Sequence, residues 1–265
     1  MTTWPTPGPD DHDLSTRRRY KLTIAYDGTL FHGWQRQQSP TGEVLRTVAG
    51  QAGDALCRLL GQPINLVGAS RTDAGVHAKG QIAHFDAAIR IPLDRLPHAI
   101  NSRLPDDVEV VAAEEVPPEF DAISGAVAKR YRYRIFNTSR RPLTMRNFVW
   151  HCWTSLDAAA MCDAANRLIG THDFAGFAAA GHGRSHTVRT IHDCRILRDP
   201  PELHVLVEGD GFLYNMVRII VGTLVEVGRG RFTPDIINHV LDTKDRSLGG
   251  PTLPARGLCL EWIKY

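Results

Sequence analysis

A chain of 265 residues, 43% hydrophobic and 23% charged, can bury one large core or two modest ones. No apolar run reaches the roughly 20 residues that a membrane-spanning helix needs, and a net charge of +2 permits a nucleic-acid partner without requiring one. Five cysteines, odd in number and never spaced Cys-x-x-Cys, and histidines that never form His-Glu-x-x-His argue against a disulfide framework and a metal site.

Residues 1–18, MTTWPTPGPDDHDLSTRR, are rich in Pro, Asp and Thr and read as a disordered or loosely attached arm. The same stretch has no apolar signal-peptide core, so a cytoplasmic location is expected. In RRYKLTIAYDGT, Tyr20, Leu22, Ile24 and Tyr26 share one side of a strand that Asp27-Gly28 ends. FHGWQRQQ follows as a polar-aromatic loop. Val44, Val48, Gln51, Ala55 and Leu59 recur at helical spacing and predict a helix over 44–60, closed by Gly61. PINLVGAS reads as a short strand entering a turn, and GQIAHFDA as a second strand. LDRLPHAINSRLP is helical up to Pro105, and VEVVAAEEV returns as a strand.

Pro117-Pro118 suits neither a helix nor a central strand and marks the boundary between domains at 19–117 and 118–265. Beyond it, AKRYRYRIFN predicts a strand and SLDAAAMCDAANRLIG a capped helix stopped by Gly170. TVRTIHDCRILRD and ELHVLVEGDGF predict paired strands. LYNMVRIIVGTLVEVGRG carries the apolar stripe of a helix, and LCLEWIKY makes a last strand. Adjacent strands with helices between them in both halves define an α+β class.

The stretch NLVGASRTDAGVHAKGQIAHF (65–85) concentrates the chemistry. Asp73 follows a strand among Thr72, Ala74 and Gly75, whose small size leaves the carboxylate uncovered. Arg71, two residues away, falls on the same side of an extended segment, where a guanidinium would hold the acid ionised. An accessible ionised carboxylate serves as nucleophile or general base. The same residues also describe an Asx turn with a surface ion pair, and nothing local chooses between the two.

In KRYRYRI, alternation sets Lys129, Tyr131, Tyr133 and Ile135 opposite Arg130, Arg132 and Arg134. Such a strand offers rings for stacking on a base and arginines for phosphates, or else a tyrosine core under a solvated arginine face. Arg218 interrupts the apolar helix of GDGFLYNMVRIIVGTL. It would snorkel to the surface, meet a buried carboxylate, or reach a phosphate. Further basic residues, Arg17 to Arg19, Arg36, Arg140, Arg141, Arg146, Arg184 and Arg189, lie in the arm and loops and would bind RNA if they converged on one cleft. Neither Gly-x-x-x-x-Gly-Lys nor a dinucleotide Gly-x-Gly-x-x-Gly after a strand occurs, so no cofactor is expected.

GASRTDAGVHAKGQIAHF resembles the catalytic motif of TruA-type tRNA pseudouridine synthases. The likeness continues through YDGTLFHGWQRQ, AKRYRYRI, THDFAGF, TVRTI, GDGFLYNMVRIIVGTL and PARGLCLEWIKY, in family order. The resemblance implies an isomerase that converts uridine to pseudouridine in the anticodon stem-loop of tRNA, at tRNA positions 38 to 40. It implies a homodimer without cofactor or metal. The fold it implies is two ferredoxin-like α+β halves whose antiparallel sheets merge around a central basic cleft. Residue by residue, it makes Asp73 the catalytic aspartate, Arg71 its paired arginine and Tyr131 the active-site tyrosine. Arg218 and Leu258 complete the pocket, and Phe31 to Gln37, with Phe31 and Gln35 foremost, fall in a segment that contacts RNA. TGEVLRTVAGQAGDAL follows the family pattern only loosely, and the arm has no counterpart. The motif leaves open whether the carboxylate attacks C1′, attacks C6 or removes the 2′ proton.

Overall fold

The computed structural model describes residues 17–179 and 186–265; the arm before Arg17, and Arg184, lie outside the described residues. The first strand, β1 (Arg18–Tyr26), buries Tyr20, Leu22, Ile24 and Tyr26, the alternation that the sequence carries. It begins at Arg18, within the stretch expected to be arm, because Arg18 pairs with Ala87 across the sheet and with Glu115 through its side chain.

The helix α1 (Val48–Leu60) starts four residues later than its apolar spacing predicts. Thr47, in extended backbone, accepts the Gly50 N–H through its hydroxyl and so sets the start, as an N-cap does. Val44 is left 74% exposed and bridges to Gln38 instead. Gly61, at φ 64°, closes the helix as expected. Two strands flank the segment that carries Asp73: β2 (Val67–Gly68), far shorter than PINLVGAS suggests, and β3 (His77–Ala87). A 3-10 turn at Leu93–Arg95, α2 (Leu96–Asn101) and β4 (Val108–Val116) complete this half.

The rest comprises β5 (Ala128–Asn137), β6 (Trp150–Cys152), α3 (Ala158–Asn166), β7 (Gly170–Asp173), β8 (Val188–Asp199), β9 (Glu202–Gly209), α4 (Met216–Gly228), α5 (Ile236–Thr243) and β10 (Leu258–Lys264). Asp157 caps α3 by accepting from Ala159 and Ala160 N–H. That helix ends at Asn166, and Gly170 (φ 117°) opens β7 rather than closing the helix. Neither β6 nor β7 is long enough to show alternation, so sequence reading passes over both.

The ten strands among the described residues form one mostly antiparallel sheet, ordered β4-β1-β3-β10-β5-β9-β8-β7, with β2 beside β3 and β6 beside β5. The last strand, β10, fills the middle: it runs parallel to β3 and antiparallel to β5. Pro117-Pro118 thus lies in the link between β4 and β5, while the sheet continues past it. The helix α4 is buried along nearly its whole length and packs on α3 and β5. The mouth of the β2–β3 turn and the start of α4 come together over β5.

Candidate active site

Between β2 and β3 the chain makes the turn Ala69–Val76. Backbone bonds tie it down from behind: Gly75 N–H donates to Phe31 O (3.2 Å) and Trp34 N–H to Thr72 O (3.1 Å). The Tyr26 hydroxyl meets the Thr72 hydroxyl at 2.8 Å. Gly33 (φ 88°) lets the loop approach this closely, since a Cβ there would stand 2.5 Å from Thr72 O. YDGTLFHGW therefore acts as the scaffold of the turn.

The turn presents Asp73 to a cleft of ≈ 1020 Å³ whose walls include Gln35, Arg36, Arg71, Lys129, Tyr131, Arg218 and Leu258. The Asp73 side chain is 25% exposed, and its Oδ2 accepts from Arg218 Nη1 at 3.3 Å. Arg218 is fixed from two other directions: Nε donates to Leu253 O at 2.6 Å and Nη1 to Asn215 Oδ1 at 2.7 Å. Asn215 holds the left-handed conformation (φ 59°) at the entrance to α4, tolerable for Asn and costly for most side chains. Burial raises the Asp73 pKa above the ordinary aspartate value, and the Arg218 charge and hydrogen bond pull it part of the way back.

Arg71 corrects the local expectation. Its side chain is exposed on the cleft wall and makes no ion pair with Asp73; the guanidinium beside Asp73 is that of Arg218. Of the three readings open for Arg218, contact with a carboxylate is the one realised.

Tyr131 is buried on the cleft floor, its hydroxyl 3.0 Å from Ser70 Oγ and its ring edge-on to Phe212 at 5.2 Å. Desolvation pushes its phenol up to about 12, and the negative charge of Asp73 adds to the rise. Leu258, buried at the head of β10 on the strand next to β5, adds an apolar side chain to the cleft lining. Gln35 is exposed and reaches the cleft.

Phe31 does not line the cleft: it is 3% exposed, with the Arg46 guanidinium 4.0 Å above its ring, and serves the turn through its backbone carbonyl. Arg130, Arg132 and Arg134 also lie away from the cleft, paired with Glu208, Glu261 and Glu202 on the other side of β5. Tyr133 is core, its hydroxyl donating to Pro254 O at 2.8 Å. Sequence reading missed Ser70 and Phe212, which matter only through Tyr131, distant in the chain, and Asn215, whose hold on Arg218 three residues on gains meaning only once Arg218 meets Asp73.

Among the described residues, no group of three or more His, Cys, Asp or Glu could hold a metal ion, and no helix is long and apolar enough to cross a membrane.

Residues 22–123 and 164–265 match a family described as tRNA pseudouridine synthase. The chain is 44% identical over 248 residues to tRNA pseudouridine synthase A of Thermoanaerobacter sp. (strain X514), covering 94% of this chain and 100% of that protein. It is 46% identical to tRNA pseudouridine synthase A of Moorella thermoacetica, covering 92% and 98%. A relative of the same name from Halalkalibacterium halodurans is 43% identical, with 91% and 90% covered.

Proposed function

Because the chain belongs to the tRNA pseudouridine synthase family, we propose that it isomerises uridine to pseudouridine in tRNA with Asp73 as the acting carboxylate. The observation that carries this reading is one oriented carboxylate, held by Arg218 and facing a cleft beside a buried tyrosine and a leucine.

In the reaction the C1′–N1 bond breaks, the uracil turns and a C1′–C5 bond forms. One proton leaves C5 and one arrives at N1, so composition and oxidation state are unchanged and no cofactor is required. Attack at C1′, attack at C6 and removal of the 2′ proton all use the ionised form of Asp73. Arg218 supplies the opposing charge that favours that form against burial. Tyr131, with its phenol pushed up to about 12, is a poor base near neutral pH and acts as a flat surface for the uracil, with Leu258 adding apolar lining.

A uridine in a stem must leave the stack first, which costs a few kcal/mol. Cations on the cleft wall, Arg36, Arg71, Lys129 and Arg189 among them, would offset this by engaging phosphates. Arg71, exposed and outside the Asp73 ion pair, acts in this reading on the RNA. We assign the target to positions 38 to 40 of the anticodon stem-loop. We also assign to the protein a homodimeric state, a cytoplasmic location and two ferredoxin-like halves about a basic cleft. Support for these finer points is the motif resemblance, the cationic lining and the seam at β10.

The test is incubation with an unmodified tRNA transcript followed by mapping of pseudouridine, with Asp73→Asn alongside. The wild type should modify the transcript, and Asp73→Asn should lose at least about 1000-fold in rate while retaining tRNA binding. Unaltered product from Asp73→Asn would remove the aspartate from the mechanism.

A further inference from the structure

Beneath the cleft floor lies a fully buried polar side chain that the chemistry above does not use. Gln81, on β3, is 0% exposed. Its Nε2 donates to Ser70 O at 2.6 Å, and its Oε1 accepts from Ser70 N–H at 3.2 Å. Both ends of one amide therefore grip the backbone of one residue, as an opposing strand residue would.

The position explains the grip. The pair β2–β3 runs Val67↔His84 and Gly68↔Ala83, and Ala69 N–H still reaches Ile82 O at 2.8 Å. Continuing that register would set Ser70 opposite Gln81, but there the chain leaves the sheet to form the Asp73 turn. The Gln81 amide takes over where the main-chain ladder stops and leaves neither Ser70 N–H nor Ser70 O without a partner at the edge of the cleft. On the inner side, Trp34 fills the space over Gly68, where a Cβ would stand 2.2 Å from the indole, so β2 cannot slide inward. Ser70, thus fixed, places its hydroxyl 3.0 Å from the Tyr131 hydroxyl. Thr72, two residues on, is held by Tyr26.

We propose that Gln81 is a positioning residue: it fixes where the chain peels from β3 and, through Ser70, sets Tyr131 and Asp73 relative to one another. It touches no substrate. The inference rests on the reading of Asp73 and Tyr131 as the groups that act on uridine, and concerns how they are aligned.

Gln81→Met keeps the volume and removes both hydrogen bonds, while Ser70→Ala removes only the link to Tyr131. Rates of pseudouridine formation are measured in single turnover with unmodified tRNA transcript and saturating enzyme, and tRNA Kd by filter binding. Gln81→Met should lower the rate about 100-fold, the scale of a displacement near 1 Å, with Kd within about threefold of wild type. Ser70→Ala should lower it about tenfold. The double variant should be no slower than Gln81→Met, because the two residues form one chain of contacts.

Losses that multiply to about 1000-fold, a wild-type rate in either single variant, or an effect confined to Kd would overturn the proposal. Should Gln81→Met fail to fold, Ser70→Ala decides by the same split between rate and Kd. A wild-type protein that binds the transcript but forms no pseudouridine overturns the enzymatic reading, and this inference with it. That outcome is distinct from an active wild type whose variants are unimpaired.

Discussion

Asp73 stands between two opposing influences, and the balance has a readable consequence. Burial raises its pKa and Arg218 lowers it, with burial prevailing. The folded protein therefore holds the Asp73 proton to a higher pH than the unfolded chain does. Its favourable contribution to stability is present at low pH and is lost as pH rises through the folded pKa, so the ionised carboxylate costs the native state something at neutral pH. Activity has the opposite sign: the rate falls as pH drops through the same value. Replacing Arg218 with Ala removes the charge that opposes burial, and the acid limb of the single-turnover rate should move up by about 1 pH unit or more. A limb left in place would mean that Arg218 does not control this carboxylate. Asp73 stood out in the sequence through the motif resemblance, since the residues around it describe an Asx turn equally well. Its pairing with Arg218 did not, since the two lie 145 residues apart, joined only by the fold.

At the scale of elements, the site depends on α4 meeting the segment that leads into β10. Gly222 makes that contact possible: a Cβ there would stand 1.8 Å from Pro251 O, a backbone atom with no rotamer to escape through. Val221 and Thr223 on either side are fully buried, so the helix cannot shift to make room. Gly222→Ala should displace residues 250–254, and with them the Leu253 carbonyl that receives Arg218 Nε. We expect a loss of about 1–3 kcal/mol by denaturant unfolding together with reduced activity. Wild-type stability would show that the two backbones have more freedom than their packing indicates. Helix α1 teaches the complementary lesson. Its apolar spacing is continuous from Val44, yet the Thr47 cap decides where it starts.

For the whole molecule, the decisive feature is β10 lying between β3 and β5. Leu260, fully buried, has Ala78 of β3 on one side and Tyr131 of β5 on the other. A sheet joined in this way should unfold as one unit. Tryptophan fluorescence and far-UV circular dichroism should report one coincident urea transition, and Leu260→Ala should shift both probes together, costing about 2–5 kcal/mol. Separated transitions would mean that the halves on either side of Pro117-Pro118 fold independently and that β10 only docks them.

The sequence by itself determined the α+β class and most of the long strands and helices, because periodicity and turn chemistry act over a few residues. Asp73 and Tyr131 were marked only by the motif resemblance, because alternation sets Tyr133 on the same side as Tyr131. What only the tertiary structure decided is pairing. It put Arg218 rather than Arg71 beside Asp73, set Phe31 behind the turn, engaged the β5 arginines with glutamates, and put the final strand at the centre of the sheet. Each of these depends on which distant segments share a limited interior. Burial and hydrogen-bond satisfaction settle that over the whole chain at once, and no local window contains it.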